Sequence, residues 1–244
     1  MSYKEQPVKA YKNLEFLNSR EARTLRILSE YREPLSRLDK YKVNNWVLFF
    51  GSARIDPTNK EDPLYKYYWE AEELAHELVK WAIQLKPKGK NFVICTGGGG
   101  GIMEAANRGA HRAGGKSIGM NISLPYEQKL NPYVSPELSF TFHYFFMRKF
   151  WLVYKAKAII AFPGGFGTCD EVFELLTLIQ TEKINGKHIT VCLYGEEYWK
   201  KIIDFKALLN HGAIDEDDFK LIQYVSDPIE AFDFFKDNLV NLLL

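Results

Sequence analysis

The turn Pro163-Gly164-Gly165-Phe166-Gly167-Thr168 constrains this chain more than any other feature, because of what flanks it. Ala158-Ile-Ile-Ala-Phe162 precedes it, an apolar run of strand length. Beyond it, apolar residues at 172, 175, 176 and 179 keep the spacing of one helical face and predict a helix near 168–181. A strand, a glycine turn and a helix in that order gather backbone N–H groups and a positive helix end at one spot. Such a spot suits an anion, most often a phosphate. Asp170 and Glu171 fall in the first turn of the expected helix, beside that anion.

Two further junctions repeat the arrangement. Asn91-Phe-Val-Ile-Cys95 reads as a strand, residues 97–101 are five consecutive glycines, and 102, 106, 109 and 113 line one side of a helix. More weakly, Trp46-Val-Leu-Phe-Phe50 runs into Gly51-Ser-Ala-Arg54. Glycines also permit tight turns and close packing with no ligand involved. Three such junctions in one chain favour a ligand site, with parallel strands delivering their carboxyl ends to a common crevice.

The rest of the chain fits that frame. Strands are expected at 46–50, 91–95, 117–121, 139–143, 158–162 and 189–193. Helices are expected near 64–86, 101–113, 145–156, 168–181, 196–209 and 227–240. This alternation predicts an α/β, Rossmann-like doubly wound fold, a mostly parallel sheet with helices on both faces. The division expected is an N-terminal helical extension over 1–42 and a single nucleotide-binding domain over 43–244. The extension holds ten Lys/Arg against six Asp/Glu, with leucines spaced as an irregular helical face. One or two amphipathic helices packed on the main body or on a partner subunit account for it better than a basic nucleic-acid arm. The proline-containing stretch 124–138 is the one long irregular loop, placed to wall or cover a pocket.

Bulk properties remove other classes. A net charge of +1 exerts no general pull towards nucleic acid or anionic membrane. No apolar run approaches the roughly 18 residues that span a bilayer, and the first residues lack the apolar segment of a signal peptide. Cys95, Cys169 and Cys192 follow no metal spacing and read as reduced thiols of a cytoplasmic protein.

The glycines do not fit the better-known phosphate loops. G-x-G-x-x-G fails within 97–104 and again at Gly165, and a Walker A loop ending at Gly115-Lys116-Ser117 would need glycine where Ala110 stands. Arg148 and Lys149 follow the aromatic run Phe142-His-Tyr-Phe-Phe146 and would reach the same crevice; a solvated surface pair accounts for them equally well. His143 has two readings, general base or, more commonly, a structural ring. Glu171 has two as well. Thr168-Cys-Asp-Glu171 is the spacing of a capping box, and spacing alone does not separate a helix cap from a catalytic carboxylate.

Pro163-Gly-Gly-Phe-Gly-Thr-Cys-Asp-Glu171 resembles the P-G-G-x-G-T-x-x-E signature of the Lonely Guy (LOG) family of cytokinin riboside 5′-monophosphate phosphoribohydrolases. Arg148-Lys149 resembles that family's R-K pair, the glycines at 97–101 with Ile102-Met103 its glycine-rich segment, and Gly51-Ser-Ala-Arg54 its first turn. The likeness spans roughly residues 45–200 and is nearer to the longer bacterial-type members, many of them labelled lysine decarboxylases. The plant-type M-H-x-R-K stands here as Phe145-Phe-Met-Arg-Lys149, so the preferred base is left open.

The resemblance implies hydrolysis of the N-glycosidic bond of a nucleoside 5′-monophosphate, with no cofactor and no metal. Arg148 and Glu171 would be catalytic. Gly164, Gly165, Gly167 and Thr168 would cradle the 5′-phosphate, Lys149 would add charge, and Thr177 would give a further contact. Ser52, Gly98 and Glu127 are weaker candidates for the rest of the nucleotide. It also implies a homodimer or larger homo-oligomer. The alternative from another class is a non-catalytic nucleotide or cofactor carrier on the same fold, as in relatives of the molybdenum-cofactor carrier type.

Overall fold

A computed structural model describes residues 7–124, 129–184, 189–239 and 242–243. Seven strands form one parallel sheet: β1 (Trp46–Phe50), β2 (Val93–Thr96), β3 (Ser117–Ile122), β4 (Ser139–Phe142), β5 (Ala156–Ala161), β6 (Thr190–Tyr194) and β7 (Tyr224–Val225). Their order in space is β4-β3-β2-β1-β5-β6-β7, and every pairing is parallel. Progress across the sheet reverses at β1, with β2 on one side and β5 on the other. In such sheets ligands bind outside the carboxyl ends at this reversal.

The helices are α1 (Leu14–Asn18), α2 (Arg23–Lys40), α3 (Tyr65–Leu85), α4 (Ile102–Arg112), α5 (Phe145–Tyr154), α6 (Phe166–Gln180), α7 (Glu196–Ile202), α8 (Phe205–Asn210), α9 (Glu216–Phe219) and α10 (Pro228–Leu239). Side chains of α3, α4 and α10 close one face of the sheet. Those of α2, α5, α6 and α7 close the other. Every residue of β1 is buried, as expected for a central strand covered on both sides. The fold is therefore the doubly wound α/β architecture that the alternation of elements predicts.

Two local departures have simple causes. The single helix expected at 196–209 is two, because the Asp204 side chain accepts from Ala207 N at 2.9 Å and starts a new helix there. The α9 turn and the two-residue β7 are too short to leave a periodic signal. At the amino end, α2 lies on the edge strand β4. Arg37 Nη1 donates to the Ser139 carbonyl at 2.6 Å, and its guanidinium stands 4.4 Å from the Phe140 ring centre. A polar edge carbonyl is thus paired rather than left open to another chain.

Candidate functional site

The three glycine junctions meet at the reversal point, and they meet by packing on one another. Ser52 N donates to Pro163 O at 3.0 Å, and Ile102 N donates to Ser52 O at 3.0 Å. A Cβ on Gly51 would lie 2.6 Å from Ile102 Cγ1, and one on Gly164 would lie 2.2 Å from Thr168 Oγ1. Gly101 has φ +60°, and a Cβ there would come within 2.1 Å of Ser52 O. Above these contacts opens a cleft of about 740 Å³, large enough for a small-molecule ligand. Its walls include Ser52, Gly97, Arg148, Glu171 and the turn Gly164–Thr168, with Ile122, Leu124 and Phe145 forming an apolar side.

The turn after β5 begins its helix earlier than the sequence spacing predicts. Gly165 is extended (φ −89°, ψ −151°) and is the N-cap of α6, with no side-chain cap. Cys169 N already bonds to Gly165 O at 3.0 Å. Thr168 therefore lies inside the first turn, and Thr168-Cys-Asp-Glu171 is not a capping box. Asp170 and Glu171, expected in the first turn, sit beyond it. Of the two readings of Glu171, the helix cap is the one the geometry removes.

Glu171 instead faces Arg148. Oε1 of Glu171 is 3.5 Å from Nη1 of Arg148, and the two side chains keep only 14% and 12% of their exposure, so this is an ion pair largely out of water. Arg148 Nε donates to the Met120 carbonyl at 2.8 Å. Its Nη2 lies where a Cβ on Gly97 would come within 2.4 Å, so only glycine leaves room for the guanidinium. Burial pushes the Glu171 carboxyl up to about 7; the Arg148 charge opposes that rise without cancelling it.

The other sequence candidates divide. Ser52, Gly164, Gly165, Gly167 and Thr168 line the cleft with Arg148 and Glu171. Gly98 does not. Its N–H donates to Thr96 Oγ1 at 2.9 Å and its carbonyl accepts from Asn131, so its polar groups serve the buried loop beneath. Lys149 turns the other way along α5 and binds Asp170 at 2.7 Å and Glu174 at 3.0 Å. Partial burial alone would lower its pKa, but the hydrogen bonds to Asp170 and Glu174 outweigh that and raise it. That charged state is the reverse of what a Schiff-base lysine requires. Thr177 is also off the cleft. Its hydroxyl donates to Phe173 O at 2.7 Å, and it borders a separate pocket with Phe205 and Leu208. His143 packs its ring against Tyr144 at 4.7 Å and is absent from the cleft walls. Glu127 lies outside the described residues.

Sequence reasoning missed Tyr198, whose hydroxyl donates to Gly164 O at 2.8 Å and steadies the turn from α7. It also missed Asn131, whose amide donates to the carbonyls of Gly98 (3.2 Å) and Gly99 (2.9 Å) and to Asn107 Oδ1 (2.9 Å). Neither residue belongs to a local motif; both act across the chain. Among the described residues no cluster of three or more His, Cys, Asp or Glu is arranged to hold a metal. None of the helices in that set is long and apolar enough to cross a membrane.

Fold and cleft together define a Rossmann-like protein with an open cleft at the sheet's reversal point. The model of the family described as "possible lysine decarboxylase" matches residues 103–235, and the chain belongs to this family, the LOG family. Among solved structures it is similar to a molybdenum cofactor binding protein from Rippkaea orientalis, at 20% identity and a TM-score of 0.53 over 79% of this chain and 94% of that one. It is similar also to the Moco carrier protein from Chlamydomonas reinhardtii, at 20% identity and a TM-score of 0.52 over 82% and 99%. At this identity the likeness is one of fold. No curated protein matches the chain.

Proposed function

We propose that the chain hydrolyses the N-glycosidic bond of a nucleoside 5′-monophosphate, releasing the free base and ribose 5-phosphate. The observation that carries this reading is the nearly buried Arg148–Glu171 pair beside a glycine turn at a helix N-terminus. The N–H groups of Gly164, Gly165, Gly167 and Thr168 receive the 5′-phosphate, where the positive end of α6 adds to their attraction. Glu171 lies four residues beyond Gly167, about 6 Å along the helix axis at 1.5 Å per residue. A phosphate at the turn thus leaves the ribose beside the carboxylate, and the base against Ile122, Leu124 and Phe145.

As the bond from C1′ to the base breaks, its electron pair leaves with the base and positive charge builds on the ribose ring. An ionised Glu171 stabilises that charge and aims a water at C1′. The water's proton passes to Glu171 and, through solvent, to the departing base. Arg148 orients the nucleotide and keeps Glu171 ionised over more of the pH range than burial alone would allow.

The test compares AMP with adenosine under identical conditions. Two or three hydrogen bonds to a charged phosphate contribute about 1.5–3 kcal/mol each. The expected preference for AMP is therefore about a thousandfold or more in kcat/KM, part of it in kcat. Equal efficiency would mean that the turn does not hold the phosphate. A second reading is a carrier that binds its ligand without chemistry, as the two proteins of similar fold above, a cofactor binding protein and a cofactor carrier, suggest. A carrier would hold AMP and release no adenine.

The assembly proposed is a homodimer closed over α5 and α6. Phe146, Phe150 and Tyr154 on α5 and Phe173 on α6 are exposed large hydrophobics, and Phe166, at the cleft, is 97% exposed. Apolar area of this kind marks an interaction surface. Light scattering of an active sample at micromolar concentration should give twice the chain mass, and a monomeric mass would overturn the dimer.

A further inference from the structure

We propose that the N-terminal helix α2 is a working part of the cleft, with Glu30 a positioning residue that fixes the first turn of α5 and so places Arg148. The proposal rests on the reading of Arg148 and Glu171 as the working pair. The α5 helix has no cap of its own, since the side chain of its N-cap residue Tyr144 caps nothing. The cap arrives from α2 instead. Glu30 Oε1 accepts from His143 N at 2.7 Å, and Oε2 accepts from Tyr144 N at 3.3 Å. A carboxylate there also opposes the positive end of the helix. The Tyr144 carbonyl in turn accepts from Arg148 N at 3.1 Å, so the backbone of Arg148 hangs from the residue that Glu30 holds.

Glu30 grips α5 a second time, through its main chain. The indole N–H of the fully buried Trp151 donates to Glu30 O at 2.9 Å. At the other end of the Arg148 side chain the fit leaves little slack, with Nε on Met120 O and Nη2 over Gly97. A small displacement of the first turn of α5 therefore reaches the guanidinium. Arg37 on Ser139 and the Asp39–Lys155 pair at 3.5 Å anchor α2 independently, so loss of the Glu30 carboxylate leaves the helix docked.

The test is the titration of Glu171 in the free protein, followed by carbon-13 NMR of its carboxyl in wild type, Glu30→Ala, Arg148→Met and the double variant. The groups that act on Glu171 are Arg148, Asp170, Lys149 and Glu174. Removing the Glu30 charge would by itself lower the Glu171 midpoint, because one negative charge fewer makes ionisation easier. If Glu30 positions Arg148, the midpoint rises instead, by about 0.5 pH unit or more, a fraction of the one to three units an adjacent guanidinium supplies. In the Arg148→Met background the rise should vanish. Glu30→Gln keeps one oxygen acceptor and should show the same sign in smaller size, which serves if Glu30→Ala does not fold. The titration needs no substrate, so a protein that cleaves no nucleotide leaves this test intact. An unchanged or lowered midpoint in a folded variant, or an equal rise without Arg148, would overturn the proposal.

Discussion

The turn after β2 and the turn after β5 are both rich in glycine and both open a helix at the carboxyl edge of the sheet, yet they use glycine for opposite ends. In the β2 turn the missing side chains make room for protein. A Cβ on Gly97 would meet Arg148, on Gly98 Leu130, and on Gly101 the carbonyl of Ser52. In the β5 turn Gly164 alone does the same, against Thr168, whereas Gly165 and Gly167 have no protein atom within 4 Å of where a Cβ would stand, and both line the cleft. Composition is thus a poor guide to which glycine turn takes a ligand. What distinguishes them is whether the space left by the absent side chain is already filled.

The largest effect expected from this contrast is at Gly101. Alanine there would have to hold φ +60° and overlap Ser52 O. Backbone strain of about 1–3 kcal/mol and overpacking of about the same size together predict a loss of roughly 3 kcal/mol or more. The urea midpoint of Gly101→Ala measures it, and a variant as stable as wild type would erase the distinction between the two turns.

Glu171→Gln comes next, with kcat expected to fall by about 100-fold or more, as when an electrostatic catalytic group is removed. Stability should move the other way. The folded-state pKa of Glu171 is raised from 4.5 to about 7, so its stabilising contribution is complete below pH 4.5 and is lost as pH rises through 7. Glutamine cannot ionise. At pH 8 the variant should melt no lower than wild type, with a gain of at most about 3 kcal/mol. Since the carboxylate is the active form, wild-type kcat/KM should rise with pH through about 7 and then level. A profile flat from pH 5 to 9, or near wild-type turnover in Glu171→Gln, would return Glu171 to a structural role.

Much of the fold was legible because its signals are local. Trp46–Phe50 is a strand with the boundaries its apolar run predicts, and Ile102–Arg112 and Pro228–Leu239 fall within the helices their periodicity predicts. The gathering of three glycine junctions at one edge was legible as well, since parallel strands share a direction. What was hidden depends on side chains meeting across the chain. Nothing near Lys149 in sequence says that α6 will present Asp170 and Glu174 to it. The capping-box spacing at Thr168 left two readings open, and only the structure shows that Gly165, three residues earlier, already caps the helix. Glu30 carries no motif at all and gains meaning only once α2 lies across α5.

The smallest expected effect is the sharpest test of the contrast, because stability and binding should separate in sign. Gly167 is the second residue of α6 and lies on the cleft wall, with no protein atom close to where a Cβ would stand. Alanine favours helix over glycine by up to about 1 kcal/mol, less so in the first turn, so Gly167→Ala should melt slightly higher than wild type. The same methyl group lies on the surface where the proposed phosphate approaches the turn amides. One weakened hydrogen bond to a charged group corresponds to about 1.5 kcal/mol, or roughly tenfold in KM for AMP, while adenosine, which has no phosphate to displace, should be little affected. At 97, 98 and 101 in the β2 turn no substitution can give this pattern, since a methyl group there strikes protein first. A Gly167→Ala variant that is stabilised and binds AMP as wild type does would mean that the open space beside Gly167 is solvent and not a phosphate site.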